Sequence, residues 1–252
     1  MLRAVIFDLD DTLFDWSKRV GNWQLDASRR LHRIYAHLAN AGHSLPPLEW
    51  FTRVYIECAT DAWGDAEPPE WRAPHLGDIL TAAIRQVGVP AAAAIAREDL
   101  LDLYLWDLPE GVEPYPEAPE TLRALRRAGL RLGLLTNSAL PMRLRDVELE
   151  AFGLKDLFDA RASAADIGRL KPHPEAFGHV LKRLGIAARE AVFVGDAPLW
   201  DIAGAQDAGM RAVWRRSPER ELDHVRPDAT INFLDELLPL FDLWYPNWRD
   251  NA

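Results

Sequence analysis

Short apolar runs, each ending in polar or turn-forming residues, recur along this chain. The first is Ala4-Val5-Ile6-Phe7, followed at once by Asp8, and similar runs end near Thr136, Gly195 and Trp214. Runs of about four to eight apolar residues bounded by turn formers are typical of strands buried on both faces of a sheet. Helical spacing separates these runs in three stretches, namely residues 122–130, 176–184 and 202–208.

Residues 17–112 show a different pattern, because their apolar positions recur at helical spacing. Leu31, Ile34, Tyr35 and Leu38 fall on one face of an amphipathic helix, and Gly42 is suited to end it. Three more segments predict further helices: Trp50, Val54 and Cys58; Ile79, Leu80, Ala83 and Ile84; and residues 95–105. Several of the ten tryptophans also fall here, and we expect them to pack inside this helical module: Trp23, Trp50, Trp63, Trp71 and Trp106.

These patterns predict an α/β fold with a three-layer, Rossmann-like core around a parallel sheet, interrupted by an all-helical insertion. Residues 1–16 and 113–240 would form the core, and residues 17–112 an inserted cap domain. The apolar and aromatic end of the chain, residues 241–252, is expected to pack on the core. Ligands of open parallel sheets bind beyond the carboxyl ends of the strands, so the polar residues after each strand are the candidates for a functional site.

Charge and composition narrow the kinds of partner. The chain has 252 residues, with 29 Lys and Arg against 39 Asp and Glu, giving a formal net charge of −10. This charge disfavours binding to nucleic acid or to anionic membranes, so we expect a small-molecule partner. No apolar stretch approaches the ~18 residues of a membrane span, the first residues do not resemble a signal peptide, and Cys58 is the single cysteine. A cytoplasmic protein without an internal disulfide is therefore expected.

The predicted strand ends carry acids and oxyanion-binding groups. Asp8 and Asp10 follow the first strand two residues apart. Two ionised carboxylates about 4 Å apart repel by roughly 4 kcal/mol at an effective dielectric constant of about 20, so this pair needs a cation or a shared proton. Thr136 and Asn137 end another strand with hydroxyl and amide groups, and Lys171 offers positive charge to a phosphate.

A further acid, Asp196, follows Gly195, and Asp201 comes five residues later. Four motifs therefore follow one another in the chain: D-x-D-x-T at residues 8–12, the strand-end Thr136, Lys171, and the segment from Gly195 to Asp201. In this order they resemble the motifs of the haloacid dehalogenase superfamily of phosphohydrolases. The resemblance covers nearly all of the predicted core. It implies the same sheet, and it agrees with the insertion, because many members carry a helical cap directly after the first motif.

The resemblance also implies a role for each motif residue. Asp8 would be the nucleophile that forms an aspartyl-phosphate, and Asp10 would act first as general acid and then as general base. Mg²⁺ would be held by Asp8, Asp196 and the backbone carbonyl of Asp10, and Lys171 would neutralise charge on the transferring group. Thr136 and the backbone of Asn137 would bind the phosphate. Thr12 and Asp201 would support the site from behind the residues that contact the phosphate and the metal.

The implied function is Mg²⁺-dependent hydrolysis of a phosphomonoester in a small phosphorylated metabolite. Two alternatives stay open: a sugar phosphomutase would share all of these core residues, and a protein that binds a phosphorylated ligand could keep the fold without turnover. The resemblance implies that the dehalogenases of the superfamily lack an acid at the position of Asp10, which favours phosphate transfer. Specificity should come from the cap, where Trp63 and Arg72 are candidates.

Overall fold

A computed structural model describes residues 1–64, 66, 68–90, 95–218 and 220–251. Six parallel strands form one sheet in the order β5-β4-β1-β6-β7-β8. Their bounds are Ala160–Ser163 for β5, Arg131–Thr136 for β4, Ala4–Phe7 for β1, Ala191–Gly195 for β6, Arg211–Arg215 for β7 and Ala229–Ile231 for β8. A second, antiparallel pair joins β2, Phe14–Asp15, to β3, Glu113–Pro114.

Side chains of β1 alternate between two apolar clusters, one on each face of the sheet. Val5 and Phe7 belong to one cluster, and Ala4 and Ile6 to the other. The first face is covered by α5 (Ala118–Arg127), α6 (Met142–Ala151) and α10 (Leu237–Trp244). The second face is covered by α8 (Pro174–Leu184) and α9 (Gly204–Asp207), and the short α7 (Ala164–Ile167) follows β5. The predicted three-layer α/β core is therefore confirmed.

Four helices lie between β2 and β3: α1 (Trp23–Asn40), α2 (Leu48–Gly64), α3 (Leu76–Gln86) and α4 (Arg97–Tyr104). Their apolar faces form a separate cluster that includes Leu31, Phe51, Leu80 and Leu101. Leu144 of α6 also belongs to this cluster, so the helical insertion packs against the region that follows β4.

The β2–β3 pair lies where the chain enters and leaves this group of helices, since Asp15 pairs with Glu113. Gly111, just before β3, has a φ of +82°, and a Cβ atom there would lie 2.2 Å from the backbone oxygen of Lys18. Only glycine combines that backbone conformation with so close an approach of the two chain segments.

Two predictions about the helical insertion are wrong in detail. The buried face of α2 is formed by Phe51, Val54 and Tyr55, whereas Trp50 is 52% exposed. The expectation that the tryptophans pack internally also fails for Trp23 and Trp63, which are 46% and 43% exposed. Apolar spacing alone does not distinguish a helix face that packs in a core from one that lines a cavity, because both need large apolar side chains.

Other differences concern short elements. The helix predicted over residues 202–208 is preceded and partly replaced by a π-helical segment, Pro198–Ala203, which continues into α9. The sequence does not predict the short strands β2, β3, β5 and β8, because each includes polar or proline residues and none forms a continuous apolar run like that of β1. Single 3₁₀ turns occupy the remaining helical segments, Lys155–Leu157, Ala188–Glu190, Leu234–Glu236 and Trp248–Asn251.

Within the described ranges, every helix is too short or too polar to cross a bilayer.

The end of the chain should contribute strongly to stability. Trp248 is 1% exposed and packs edge-on against Phe241 in the core cluster, with ring centroids 5.7 Å apart. We expect Trp248→Ala to lower the free energy of unfolding by about 3–5 kcal/mol, because it leaves a large cavity. Urea unfolding measures this value. The control Trp50→Ala removes an exposed ring and should change stability by no more than about 0.5 kcal/mol; similar losses in both variants would contradict the assignment.

Candidate active site

The ends of three neighbouring strands define the site. In the sheet β1 lies between β4 and β6, so their carboxyl ends lie side by side. Asp8 follows β1, Thr136 is the last residue of β4, and Asp196 follows Gly195 at the end of β6. All three polar residues are buried, with exposures of 6%, 1% and 3%. The parallel register thus brings together residues that are far apart in the sequence.

Lys171 lies at the centre of this group. Its ammonium nitrogen is 2.5 Å from Oδ1 of Asp8 and 2.7 Å from Oδ1 of Asp201, and the lysine is 2% exposed. Burial alone would lower the pKa of Lys171, but the carboxylates of Asp201 and Asp8 outweigh that effect and raise it. The lysine is therefore held as a cation. Burial raises the pKa of Asp8 well above its usual range, with Lys171 opposing the shift.

The partners of Lys171 are themselves fixed. The side chain of Asn137 accepts from the Lys171 backbone N–H at 2.8 Å and donates to its carbonyl at 3.0 Å. Asp201 accepts from the Ala197 N–H at 2.9 Å. A Cβ atom on Gly195 would lie 2.3 Å from Oδ2 of Asp201, so glycine is required for this close approach. The Asn137 side chain is thus a positioning group for the lysine, a role that sequence reasoning had not assigned.

Three buried carboxylates lie close enough together to hold a metal ion. Oxygen atoms of Asp8, Asp196 and Asp201 all lie within 4.8 Å of one another. Such hard oxygen donors fit Mg²⁺ or Ca²⁺ rather than a softer metal. Burial and the nearby Asp201 raise the pKa of Asp196 to about 6, although Arg220 opposes the shift. A bound divalent cation would remove the electrostatic cost of keeping these acids ionised. The three carboxylates therefore fit such a cation.

Asp10 does not direct its carboxylate into that cluster. Arg145 binds both of its oxygens, with Nη2 2.5 Å from Oδ1 and Nη1 3.1 Å from Oδ2. Nη2 also contacts Glu148 at 2.8 Å, and Glu148 accepts from Nε1 of Trp106 at 2.7 Å. This chain of contacts joins the predicted acid–base residue to the end of the helical insertion. The backbone carbonyl of Asp10 as a metal ligand stays a prediction.

Sequence reasoning missed Arg145, Glu148 and Arg220. Arg145 and Glu148 lie on the buried face of α6 with Leu144 and Leu149, and their spacing of three residues in that helix was the available indication. Arg220 donates to Oδ2 of Asp196 at 2.8 Å. Nothing in the local sequence around Arg220 predicts this contact, because it depends on the path of the loop after β7.

The remaining predicted site residues lie close to the same centre. A small cavity of about 180 Å³ is lined by Asp8, Asp10, Thr136, Asn137 and Lys171, together with Asp196 and Asp201. Thr12 is fully buried, and its hydroxyl has no hydrogen-bond partner among the described residues. Of the predicted site residues, Thr12 alone is absent from the cavity lining.

Comparison with known proteins assigns the class. The chain matches the model of the haloacid dehalogenase-like hydrolases over residues 2–209; it belongs to this family, and it is a hydrolase. It is 40% identical over 254 residues to the phosphoserine phosphatase of Thermus thermophilus, covering 94% of this chain and 98% of that protein. It is 30% identical over 251 residues to the glyceraldehyde 3-phosphate phosphatase of Methanopyrus kandleri, covering 96% and 97%.

A solved structure shows the same fold. The 2-haloacid dehalogenase of Pseudomonas syringae pv. Tomato DC3000 superposes with a TM-score of 0.66 at 28% identity. The superposition covers 97% of this chain and 100% of the dehalogenase chain. The superfamily suggested by the four motifs is therefore confirmed. Because these similar proteins include phosphatases and a dehalogenase, the choice between the two reactions depends on the residues of the site.

The arginine pair with Asp10 and Glu148 can be tested through stability. Arg145→Met leaves Glu148, which is 0% exposed, without its cation, so we expect the free energy of unfolding to fall by about 3–5 kcal/mol. Arg143→Met is the matched control on the same helix, because its ion pairs with Glu98 and Asp102 are exposed and worth less than about 1 kcal/mol. Denaturant titration of both variants gives the comparison. Equal losses would show that the buried pairing contributes nothing special.

Asp196 predicts a pH dependence in the presence of a chelator. Its folded-state pKa of about 6 lies above the ordinary value of 3.8, so the folded protein is penalised when this group is ionised. The penalty is present above pH 6 and disappears as the pH falls below about 4; a shift of about two units corresponds to about 3 kcal/mol. Relative to Asp196→Asn, the parent should therefore gain up to that much stability between pH 7 and pH 4.

Thermal unfolding at several pH values measures this difference between the two proteins. At pH 7, added Mg²⁺ should raise the Tm of the parent and leave that of Asp196→Asn nearly unchanged. Parallel pH profiles for the two proteins, or equal shifts with Mg²⁺, would argue against a strained acid at this position.

Proposed function

We propose that this hydrolase is a Mg²⁺-dependent phosphatase that cleaves the phosphomonoester of a small phosphorylated metabolite. The observation that carries the proposal is the buried contact of Lys171 with Asp8 and Asp201, beside Asp196 and next to a cavity of phosphate size. The named phosphatases similar to this chain support the same conclusion.

Asp8 serves as the nucleophile. One of its carboxylate oxygens forms a bond to phosphorus while the bond from phosphorus to the ester oxygen breaks, giving an aspartyl-phosphate and an alkoxide. Lys171 compensates the negative charge on Asp8 and on the transferring group throughout. Bound Mg²⁺, held by Asp8, Asp196 and the Asp10 carbonyl, would supply further positive charge for the phosphate oxygens.

Asp10 moves the protons. It donates a proton to the departing alkoxide, and then accepts one from the water that attacks phosphorus and releases phosphate from Asp8. Arg145 holds the Asp10 carboxylate in one orientation through both oxygens, so one of these contacts has to lengthen when Asp10 reaches the ester oxygen. An acid at this position favours an oxygen leaving group over halide, and this supports phosphatase rather than dehalogenase chemistry.

Phosphate is held by Thr136 and by the backbone N–H of Asn137. This assignment agrees with the use of the Asn137 side chain elsewhere, on the backbone of Lys171. Residues 17–112 act as the cap: they are joined to the core beside the β2–β3 pair, and Trp106 contacts Glu148 of α6, which shares Arg145 with Asp10. Closure excludes water from the ester during the first step.

Hydrolysis of p-nitrophenyl phosphate tests the nucleophile. The parent should release nitrophenol with Mg²⁺ and not with excess EDTA, and Asp8→Asn should lose activity by about three orders of magnitude or more, because the variant cannot form the acyl phosphate. The matched control is Asp207→Asn, an exposed acid at the end of α9, which should keep the parental rate. Equal rates for the parent and Asp8→Asn would refute the proposed mechanism.

Product analysis distinguishes hydrolysis from transfer. With sugar monophosphates, a phosphatase releases inorganic phosphate in step with substrate loss. A phosphomutase would instead produce the isomeric sugar phosphate with little free phosphate. Lack of any product from aryl and sugar phosphates, with intact binding of phosphate, would favour a protein that binds a phosphorylated ligand.

A further inference from the structure

A second cavity, of about 530 Å³, lies between the inserted helices and the core. Its volume falls in the range usual for small-molecule sites, about 300–1,000 Å³. Six aromatic side chains contribute to its wall: Trp16, Trp23, Tyr55, Trp63, Tyr104 and Trp106. The exposed positions of Trp23 and Trp63 have their explanation here, because these rings face a space rather than a packed interior.

The charged groups of this cavity are already paired. Arg19 and Arg30 are the charged side chains among the described residues that line it. Arg19 contacts Asp26 at 2.7 Å, and Nε of Arg30 contacts Asp107 at 3.0 Å while its guanidinium stacks 4.2 Å from the Trp106 ring. A charged group on a ligand would therefore compete with these ion pairs, whereas the N–H at Nε of Arg19, which has no hydrogen-bond partner among the described residues, could donate to a neutral acceptor.

The tyrosine hydroxyls of the wall are also satisfied, although the indole N–H of Trp16 has no hydrogen-bond partner among the described residues. The hydroxyls of Tyr55 and Tyr104 are bonded to each other at 3.3 Å, and burial raises the pKa of both, so they remain neutral. What the wall chiefly presents is the flat faces of aromatic rings. Such faces bind other planar apolar groups by stacking and edge-to-face contact.

The aromatic-lined cavity lies near the proposed catalytic site. Ala139 and Leu140 line it, and only Ser138 separates them in the chain from Asn137, which lines the smaller cavity around Asp8. Trp106 bonds to Glu148, which shares Arg145 with Asp10, and the Arg145 guanidinium lies 5.8 Å from the Trp16 ring. A group bound among the tryptophans is therefore next to the residue that would protonate the leaving oxygen.

The smaller cavity, about 180 Å³, has room for a phosphoryl group and little more. We propose that the aromatic-lined cavity binds the organic part of the substrate, and that this part is a large uncharged aromatic group. The preferred substrates are then phosphomonoesters of aromatic alcohols, in contrast to the small charged or polar compounds named for the similar phosphatases. This assignment rests on the proposed phosphatase function.

The test compares 2-naphthylmethyl phosphate with n-propyl phosphate, because both are esters of primary alcohols and differ chiefly in the aromatic group. With Mg²⁺, kcat/KM for the naphthylmethyl ester should be at least about tenfold higher, mainly through a lower KM. Trp63→Ala and Trp23→Ala should each remove a large part of this preference, measured as the ratio of the two kcat/KM values in the same variant. Trp50→Ala, a tryptophan outside the cavity lining, should keep the preference.

Equal kcat/KM values for the two esters, or variants that lower both to the same extent, would overturn the assignment. If neither ester is hydrolysed, the phosphatase proposal fails. Binding measurements then test whether the cavity accepts an aromatic group. Calorimetric titration with 2-naphthylmethylphosphonate and propylphosphonate, which contain no ester bond, then measures affinity directly. Tighter binding of the aromatic compound, lost in Trp63→Ala, would support the aromatic site; equal affinities would refute it.

Discussion

The proposed catalytic centre depends on one buried cation. Lys171 holds the carboxylates of Asp8 and Asp201 together where water has almost no access, so removing the lysine would leave two negative charges uncompensated in a region of low dielectric constant. Even with this lysine, acid is in excess: among the described residues of the small cavity, Asp8, Asp196 and Asp201 are matched by Lys171 and Arg220, while Asp10 is paired with Arg145. That imbalance gives a divalent cation a physical role. Asn137 holds the backbone of Lys171, and Gly195 and Ala197 fix the position of Asp201.

The parts of this arrangement that were predictable are local in sequence. A buried strand followed by an acid can be recognised from a few residues, so Asp8, Asp196 and the end of β4 were placed correctly beside one another. Arg145 could not be found in this way, because it pairs with a carboxylate 135 residues distant and its direction depends on the rotational setting of α6. The prediction that the tryptophans pack internally failed for another reason. An apolar position indicates that a ring is covered, but it does not say whether protein or a ligand covers it.

The helical insertion and Asp10, the proposed acid–base residue, are joined by one chain of contacts. Trp106, Glu148, Arg145 and Asp10 are connected by successive hydrogen bonds, and two of these residues, Arg145 and Glu148, are buried ions whose geometry is fixed by the other members. A shift of the segment after α4 would therefore change the position of the Asp10 carboxylate. These contacts thus link the position of the helical insertion to the orientation of Asp10.

The antiparallel pairing of β2 and β3 has a consequence for how such enzymes diversify. Because Asp15 and Glu113 are direct partners, everything between them begins and ends at nearly one point in space. The intervening segment can therefore be replaced by one of different length without altering the path of the sheet or the spacing of the acids. An exchange at this one junction would change the residues that contact the substrate and leave the residues at the strand ends in place.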